Sequence, residues 1–285
     1  MDQRIINLFD EYTHKPLRRD EFLKRLATLT GSMTAAMALL PLLEVNYAQA
    51  QTISPQDGRI DTERITYEGE GAEMKGYLAK PKDISSTGAV IVIHENRGLN
   101  AHIEDVTRRV ALAGFIALAP DALSPLGGTP TDEEKARGMF QQLDMPKTIL
   151  SFAKGFDYLK TVKGSNGKSG CVGFCWGGAM ANNLAVTVPD LKAAVAFYGR
   201  QPELADVGKI RASLQLHYAE MDERVNAGIQ AYEDGLKKEG KSYELYMYKG
   251  AQHAFHNDTA PTRYNEEAAK LAWSRTIDFF NKTLK

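Results

Sequence analysis

The chain of 285 residues has little cysteine, no excess of charge of either sign and no internal repeat. Two cysteines are too few for a small scaffold that depends on disulfide bonds. Lysine and arginine number 35 and aspartate and glutamate 36, so the net charge of −1 lacks the basic excess of a nucleic-acid-binding protein. The absence of a fixed period argues against solenoids and propellers. A hydrophobic content of 43% and a charged content of 25% are typical of a folded globular chain.

Residues 1–50 differ in pattern from the rest of the chain. A basic stretch that contains Arg18-Arg19 precedes an uncharged run over residues 26–43, and the small-residue pattern Ala48-Gln49-Ala50 follows. This order of basic, apolar and small-residue regions is typical of an export signal. The arginine pair resembles a twin-arginine signal, although two residues rather than one separate it from Phe22.

We therefore predict that residues 1–50 are an export signal that is removed, which leaves a domain over residues 51–285 in the periplasm. The alternatives are an uncleaved membrane anchor or an amphipathic helix, with the protein anchored to the membrane or cytoplasmic. The run over residues 26–43 is at the short end for a membrane span and contains several serine and threonine residues. After cleavage, no membrane span is expected.

Strand-like and helix-like segments alternate beyond residue 60. The predicted strands cover residues 64–68, 74–80, 89–94, 115–119, 170–174, 193–197, 213–217 and 243–248. The predicted helices cover residues 102–113, a segment opening at 131–134, 146–162, 176–188, 224–239 and 262–284. Repeated strand–helix units predict an α/β fold whose mostly parallel central sheet has helices on both faces. The first two strands predict an antiparallel hairpin at its edge.

The segment Gly173-Phe174-Cys175-Trp176-Gly177-Gly178 lies between a predicted strand and a predicted helix. Its form, Gly-x-nucleophile-x-Gly, places a nucleophile on a sharp turn where side chains at the glycine positions would collide with backbone. The N-terminus of the next helix favours a thiolate. We therefore predict that Cys175 is a nucleophile rather than an ordinary buried cysteine. Cys171 lies about 13 Å away along an extended strand, too far for a disulfide, and is predicted to be a core residue.

A nucleophile of this kind needs a base, which comes last in chain order in this type of fold. His253 lies in a loop after the last predicted strand and is the preferred base. His256, in the same loop, is assigned to the substrate side or to the surface. His217 lies within an apolar strand and is expected in the core, and His14 falls within the export segment.

The base needs a carboxylate that orients it, and the oxyanion that forms needs backbone N–H donors. Asp222 lies midway between a strand end and a helix start and is preferred to Glu220, a solvated turn residue, and Glu223, a helix N-terminal charge. Trp176 opens the helix after the nucleophile, and Asn96 follows an earlier buried strand. Their N–H groups are the predicted oxyanion donors.

Together these residues resemble the dienelactone hydrolase family of α/β-hydrolases over about residues 60–285. The resemblance rests on the segment around Cys175, on Asp222, on the loop around His253 and on His94-Glu95. It implies an α/β-hydrolase fold and thiol-dependent hydrolysis of a small ester or lactone, without a metal or an organic cofactor. It also implies that Glu95 controls the thiol proton, with the thiol neutral until substrate binding shifts the glutamate.

The chain departs from the family where the substrate carboxylate is bound. Members specific for dienelactone use arginines, one of them four residues after the histidine, and this position is Asn257 here. No arginine occurs over residues 146–162 either, and nothing in the sequence places Arg97 or Arg137 as a substitute. A non-catalytic or sensing protein on the same scaffold is the alternative function, and a redox pair of the two cysteines is a third. The physiological substrate and the oligomeric state are left open.

Overall fold

The computed structural model describes residues 1–15, 17–44 and 52–285. Its strands are β1 (Ile60–Glu68), β2 (Glu73–Pro81), β3 (Thr87–Ile93), β4 (Ile116–Pro120), β5 (Ser165–Phe174), β6 (Ala193–Phe197), β7 (Ser213–Ala219) and β8 (Tyr243–Tyr248). They form an eight-stranded sheet in the order β1-β2-β4-β3-β5-β6-β7-β8. The pairs β1·β2 and β2·β4 are antiparallel and all other neighbours are parallel. The predicted mostly parallel sheet and its edge hairpin are therefore confirmed.

The helices flank the sheet and also precede it in the chain. They are α1 (Gln3–His14), α2 (Arg19–Thr30), α3 (Met33–Leu43), α4 (Ala101–Leu112), α5 (Glu133–Phe140), α6 (Met145–Thr161), α7 (Trp176–Thr187), α8 (Glu223–Asn226), α9 (Ile229–Lys238) and α10 (Glu266–Leu284). Helices α4 and α10 help form a hydrophobic core on one face that includes Val106 and Phe280. Helices α6, α7 and α9 help form the core on the other face, which includes Phe156 and Leu184.

The central strands are apolar on both faces because helices cover both faces. Every residue of β3, β4 and β6 is buried. Strands β3 to β8 all run in the same direction. The loops that follow β3, β5, β7 and β8 therefore all leave the sheet at its carboxyl edge. In open α/β sheets that edge is where ligands bind.

One predicted helix is wrong. The segment 224–239 is divided into α8 and α9, with a break before Ile229. The main-chain oxygen of Val225, which a continuous helix would pair with the N–H of Ile229, accepts from the side chain of Gln201 at 3.2 Å. Gly228 permits this approach, since a Cβ there would lie 2.3 Å from Oε1 of Gln201. The side-chain contact thus ends the first helix.

The first three helices have a hydrophobic cluster of their own. Phe9, Tyr12, Phe22, Leu26 and Leu40 are among its buried residues, and the rings of Tyr12 and Phe22 stack with centroids 4.3 Å apart. No single helix of the described chain is long and apolar enough to span a membrane; α2 and α3 meet that length and composition only together, and they are bent by 109°. The pattern at residues 48–50 lies outside the described residues. Export and cleavage therefore stay predictions.

Candidate active site

The turn between β5 and α7 holds Cys175. Its backbone has a φ of 57° and a ψ of −112°, and few residues other than glycine adopt a positive φ. A Cβ at Gly173 would lie 1.9 Å from the main-chain oxygen of Gly177, and one at Gly177 would lie 2.4 Å from that of Ile93. The glycines therefore allow strand, turn and helix to pack against β3, and the cysteine stands at the N-terminus of α7.

Asp222 and His253 follow β7 and β8 and contact each other. Nδ1 of His253 lies 2.5 Å from Oδ2 of Asp222, and both side chains are almost completely buried. Oδ1 of Asp222 accepts the N–H of Val225 at 3.2 Å, which caps α8 and fixes the carboxylate. Glu220 instead accepts a main-chain N–H at 2.7 Å, and Glu223 is the first residue of α8. Of the three carboxylates in this loop, Asp222 is thus the one hydrogen-bonded to the imidazole.

A second imidazole, that of His14, lies beside the sulfur of Cys175. Nε2 of His14 is 3.1 Å from Sγ, and Nδ1 is 2.9 Å from the main-chain oxygen of Asp10. The rings of His14 and His253 have centroids 4.6 Å apart and are inclined at 77°. Nε2 of His253 is buried and has no hydrogen-bond partner among the described residues. The sulfur therefore faces two imidazoles, and its hydrogen bond goes to the one that the sequence did not predict.

The sequence contained little that could indicate His14. It lies 161 positions before Cys175, and the two patterns that follow it, the arginine pair and the apolar run, point to an export segment. The one local signal is Asp10, which lies one helical turn earlier and therefore on the same face of α1. Such a pair is common on helix surfaces, so it could not by itself predict an active-site residue.

The two histidines make the Cys175 thiol unusually acidic. Burial opposes its ionisation, but the neighbouring His14 and His253 lower the pKa of Cys175 from 9.0 to about 6. Burial lowers the pKa of each histidine, yet the thiolate and a carboxylate raise both, Asp10 for His14 and Asp222 for His253. These opposite directions are those of a thiolate–imidazolium pair.

Cys171 behaves differently from Cys175. It is completely buried in β5, and burial raises the pKa of its thiol. Both cysteines are free thiols. The expectation that Cys171 is a core residue is therefore confirmed, and the acidic thiol of the two is Cys175.

The side chains of His14, Cys175 and His253 are close enough together to bind one metal ion. Within the described chain, donor atoms of His14, Cys175 and His253 lie within 4.8 Å of one another. An ion held there would engage the sulfur electrons that a nucleophilic attack uses. Metal binding and attack by Cys175 would therefore exclude each other.

A cavity of about 500 Å³ opens beside the sulfur. It is lined by Thr13, His14, Lys15, Asn96, Arg137, Phe140, Gln141, Cys175, Trp176, Ala179, Tyr198, Arg200, Arg224, Val225 and His253. Four of these described lining residues are lysine or arginine and none is a carboxylate. Three of the four are paired with carboxylates outside the lining, Lys15 with Glu11, Arg137 with Glu134 and Arg224 with Asp10. Arg200 is the lining cation without an ion pair among the described residues.

The two predicted oxyanion donors both border this cavity. Trp176 is the first residue of α7, so its N–H has no acceptor within the helix. Asn96 lies in the loop after β3, and its side chain donates to the main-chain oxygen of Thr13 at 2.8 Å. Both residues thus line the same cavity as Cys175, which is where donors to an oxyanion are expected.

Glu95 lies near this site, and its hydrogen bonds go to residues other than Cys175. It is buried and accepts hydrogen bonds from Nδ2 of Asn257 at 3.0 Å and from the hydroxyl of Tyr198 at 3.4 Å. Among the described contacts, none joins the Glu95 carboxylate to Cys175. Asn257, at the position where the resemblance predicts an arginine, thus donates a hydrogen bond that orients Glu95.

The two arginines considered as substitutes lie in different surroundings. Arg97 donates to Glu133 at 3.2 Å. Arg137 lines the cavity, and its Nη1 donates to the main-chain oxygen of Tyr12. Arg137 is therefore the one of the two that a substrate in the cavity would meet.

His256 and His217 are both core residues. His217 is fully buried between the hydroxyl of Tyr248, 2.8 Å from Nδ1, and Oε1 of Gln215, 3.0 Å from Nε2, as expected. The expectation for His256 is wrong, because its ring is buried and stacks on Phe174 with centroids 5.0 Å apart. The chain turns back into the sheet after His253, which carries the second histidine away from the cavity.

The fold and this turn define an α/β-hydrolase, with the nucleophile position between β5 and α7 occupied by cysteine. The model of the "Dienelactone hydrolase family" matches residues 74–284. The chain belongs to the dienelactone hydrolase family, as its motifs predicted, and is thereby a hydrolase of small molecules.

Individual relatives agree with this assignment. A protein of Saccharolobus solfataricus named "Putative carboxymethylenebutenolidase" is 33% identical over 261 residues, which are 78% of this chain and 98% of that protein. A crystal structure from Klebsiella pneumoniae, named "Putative Dienelactone Hydrolase", is 26% identical with a TM-score of 0.69 and covers 78% of this chain and 98% of its own. The dienelactone hydrolase of Anabaena variabilis, at 22% identity and a TM-score of 0.63, covers 80% of this chain and 100% of its own and supports the fold.

Proposed function

We propose that the protein hydrolyses small carboxylic esters or lactones through a thioester on Cys175. The observation that carries this proposal is the thiol at the N-terminus of α7, beside two imidazoles that lower its pKa to about 6. At neutral pH such a thiol is largely thiolate, which is the nucleophilic form. Cys171 cannot substitute for it, since burial raises the pKa of that thiol and no cavity described here reaches it.

In this reaction the thiolate attacks the substrate carbonyl carbon, and the alcohol leaves as the thioester forms. The N–H groups of Trp176 and Asn96 stabilise the oxyanion, and each donor of this kind contributes roughly 3–4 kcal/mol to lowering a barrier. His253, oriented by Asp222 at 2.5 Å, then takes a proton from water, and the hydroxide releases the acid. The thiolate is regenerated in this last step.

The charge of the cavity favours an acidic substrate. Lys15, Arg137, Arg200 and Arg224 line it without a carboxylate among the described lining residues. Arg200 has no ion-pair partner in the described part of the chain, which leaves its guanidinium available to a substrate. We therefore expect carboxylate-bearing esters and lactones to be better substrates than neutral ones of equal size, as a comparison of kcat/KM between such pairs would show.

The proton-control role that the resemblance implies for Glu95 requires action through its partners. In the resting arrangement the carboxylate is bonded to Tyr198 and Asn257, and the ring of Tyr198 lies 5.0 Å from that of His253. If Glu95 sets the protonation of the thiol, Glu95→Gln will shift the pH at which Cys175 is half alkylated. An unchanged midpoint would limit Glu95 to holding the loop.

Turnover by the purified full chain tests the proposed function. Hydrolysis of an ester or lactone should be lost in Cys175→Ala and kept in the matched variant Cys171→Ala. Turnover that survives in Cys175→Ala would reject this site. The alternative, a sensing protein on the same scaffold, predicts no turnover together with saturable protection of Cys175 from alkylation by a small lactone.

A further inference from the structure

The sulfur of Cys175 lies between two imidazoles, and each of them has Nδ1 close to an aspartate. Nδ1 of His253 faces Oδ2 of Asp222, and Nδ1 of His14 lies 2.9 Å from the main-chain oxygen of Asp10 and 3.0 Å from its Oδ1. An oxygen next to Nδ1 accepts its proton in both rings, so Nδ1 carries a proton. Nε2 is then the nitrogen that gains or loses a proton. The Nε2 of His14 is the one that reaches the sulfur, at 3.1 Å.

A guanidinium lies between the two imidazole–carboxylate pairs. Nε of Arg224 lies 3.1 Å from Oδ2 of Asp10, and its Nη2 lies 3.5 Å from Nδ1 of His253. Arg224 belongs to α8, which the side chain of Asp222 caps. Asp10 is therefore held by a residue of the same short helix whose N-cap orients the other histidine.

Several contacts besides the sulfur fix the end of α1 at this site. Nδ2 of Asn96 donates to the main-chain oxygen of Thr13 at 2.8 Å, and Arg137 donates to that of Tyr12. The guanidinium of Arg263 lies 5.2 Å from the ring centroid of Phe9, on the same helix. The position of His14 is thus set by polar groups of three separate parts of the domain.

We propose that His14, oriented by Asp10, is a second catalytic acid–base residue, which carries the proton of the Cys175 thiol to the leaving group during thioester formation. The S–H bond breaks and an N–H bond forms at Nε2 of His14 when the thiolate–imidazolium pair forms, before the substrate is attacked. The thiolate then forms the C–S bond, the bond from the carbonyl carbon to the alcohol oxygen breaks, and that oxygen takes the proton from His14. The Nε2 of His253, which has no hydrogen-bond partner in the described chain, accepts the proton of water afterwards.

This division of the two proton transfers rests on the proposed function and predicts a dependence on the leaving group. An alkyl alcohol leaves poorly unless it is protonated, whereas 4-nitrophenolate leaves without a proton. Removal of the His14 acid should therefore slow hydrolysis of the alkyl ester far more than that of the nitrophenyl ester of the same acid. A residue that only packs against the sulfur would change both rates by the same factor.

The experiment compares methyl acetate with 4-nitrophenyl acetate for the full chain and for His14→Gln, Asp10→Asn and Glu11→Gln. Glu11 lies on the same helix and is a partner of Lys15 and Arg25, with no contact to the sulfur among the described residues. We expect kcat/KM for methyl acetate to fall on the order of 100-fold in His14→Gln, somewhat less in Asp10→Asn and not at all in Glu11→Gln. The corresponding loss for 4-nitrophenyl acetate should be at least tenfold smaller.

An equal loss on both esters, or rates within a factor of two of the unmodified chain, would overturn the proposal. The assays include a chelator, so that metal bound by the cluster does not alter the rates, and thermal unfolding shows whether each variant is folded. Should a variant fail to fold, His14→Asn is measured in its place by the same ratio of ester rates. If the unmodified chain hydrolyses neither ester nor a panel of acidic lactones, the proposed function fails; if Cys175 is required but the ester ratio does not change in the variants, only the role of His14 fails.

Discussion

At the scale of single residues, the site depends on the contrast between two thiols in one chain. Cys171 and Cys175 are four positions apart, and both are buried. Burial raises the pKa of Cys171 despite a main-chain hydrogen bond from Val195, whereas the imidazoles around Cys175 outweigh the same effect of burial and lower its pKa to about 6. The acidity of each thiol is therefore determined by its neighbours, since burial acts on both.

Alkylation with iodoacetamide over a range of pH measures this contrast. Because the folded-state pKa of Cys175 is lowered, thiolate is present above about pH 6, and the alkylation rate should reach half its maximum there. In His14→Gln the midpoint should move to higher pH, since one of the two cations that stabilise the thiolate is lost. Peptide mapping should find the label on Cys175 and not on Cys171 in the folded chain. A midpoint near pH 9 in the unmodified chain would contradict this account, because 9.0 is the ordinary value for the thiol.

Three of the site residues could be predicted from sequence and one could not. Cys175, Asp222 and His253 occur in the chain order that this fold requires, and each follows a strand whose end lies at one edge of the sheet. His14 reaches the sulfur through a tertiary contact across 161 positions, for which neither periodicity nor spacing gives a signal. His256 shows the reverse case, since a polar residue in the active-site loop was expected near substrate and packs on Phe174.

At the scale of elements, the close packing of α7 against β3 places the nucleophile. The approach is possible because Gly177 has no Cβ, and the nearest atoms to one added there are the main-chain oxygens of Ile93 and His94, at 2.4 Å and 2.6 Å. Backbone atoms in a sheet cannot move aside as a flexible side chain can. Any side chain at this position must therefore displace the helix that carries Cys175.

We predict that Gly177→Ala lowers the free energy of unfolding by about 1–3 kcal/mol, as overpacking does, and abolishes turnover. The matched control is Gly138→Ala in α5, where no atom lies within 4 Å of an added Cβ. Alanine in a helix interior stabilises relative to glycine by up to about 1 kcal/mol, so the control should be at least as stable as the unmodified chain. Urea unfolding and ester turnover measure both variants. Unchanged stability and activity in Gly177→Ala would show that the turn does not need this glycine.

Most elements were predictable because their patterns are strong, and the exception has a tertiary cause. The apolar run in β3 and the N-cap at Asn100, which accepts from the N–H of Ile103, define their elements locally. The break between α8 and α9 depends on Gln201, which follows a different strand and bonds to the carbonyl of Val225. A helical periodicity within one segment contains no information about such a partner.

At the scale of the whole molecule, the helices in residues 1–15 and 17–44 have a hydrophobic cluster of their own, distinct from the two cores of the sheet. The two sheet cores contain no residue of α1, α2 or α3, and those helices pack around a cluster of their own. The family model likewise matches residues 74–284. The segment and the domain are nevertheless joined at the sulfur, because His14 belongs to the first and Cys175 to the second.

Removal of this segment should leave a folded enzyme with an incomplete site. We predict that a chain of residues 52–285 unfolds cooperatively and hydrolyses methyl acetate at the reduced rate of His14→Gln. Circular dichroism during thermal unfolding provides the control for folding. A truncated chain as active on methyl acetate as the full chain would show that α1 contributes nothing to the chemistry.

The predicted export signal and the role of His14 cannot both apply to a mature chain cleaved near residue 50. We propose that the segment directs export, and that cleavage, where it occurs, converts the enzyme to the less active form lacking His14. Amino-terminal sequencing of the protein from periplasmic, membrane and cytosolic fractions tests whether the chain is exported and where it is cleaved. Intact Met1 on a soluble cytosolic protein, with none in the other fractions, would contradict export.

The central claim, a thioester on Cys175, is tested most directly by intact-mass spectrometry of the full-length variant His253→Gln after mixing with 4-nitrophenyl acetate. Without the base that activates water, the acyl group should accumulate as one added acetyl mass, which peptide mapping assigns to Cys175. The double variant with Cys175→Ala should show no adduct. Steady turnover of this ester by the unmodified chain, with no acetyl group on Cys175 in the variant and undiminished activity in Cys175→Ala, would contradict the account.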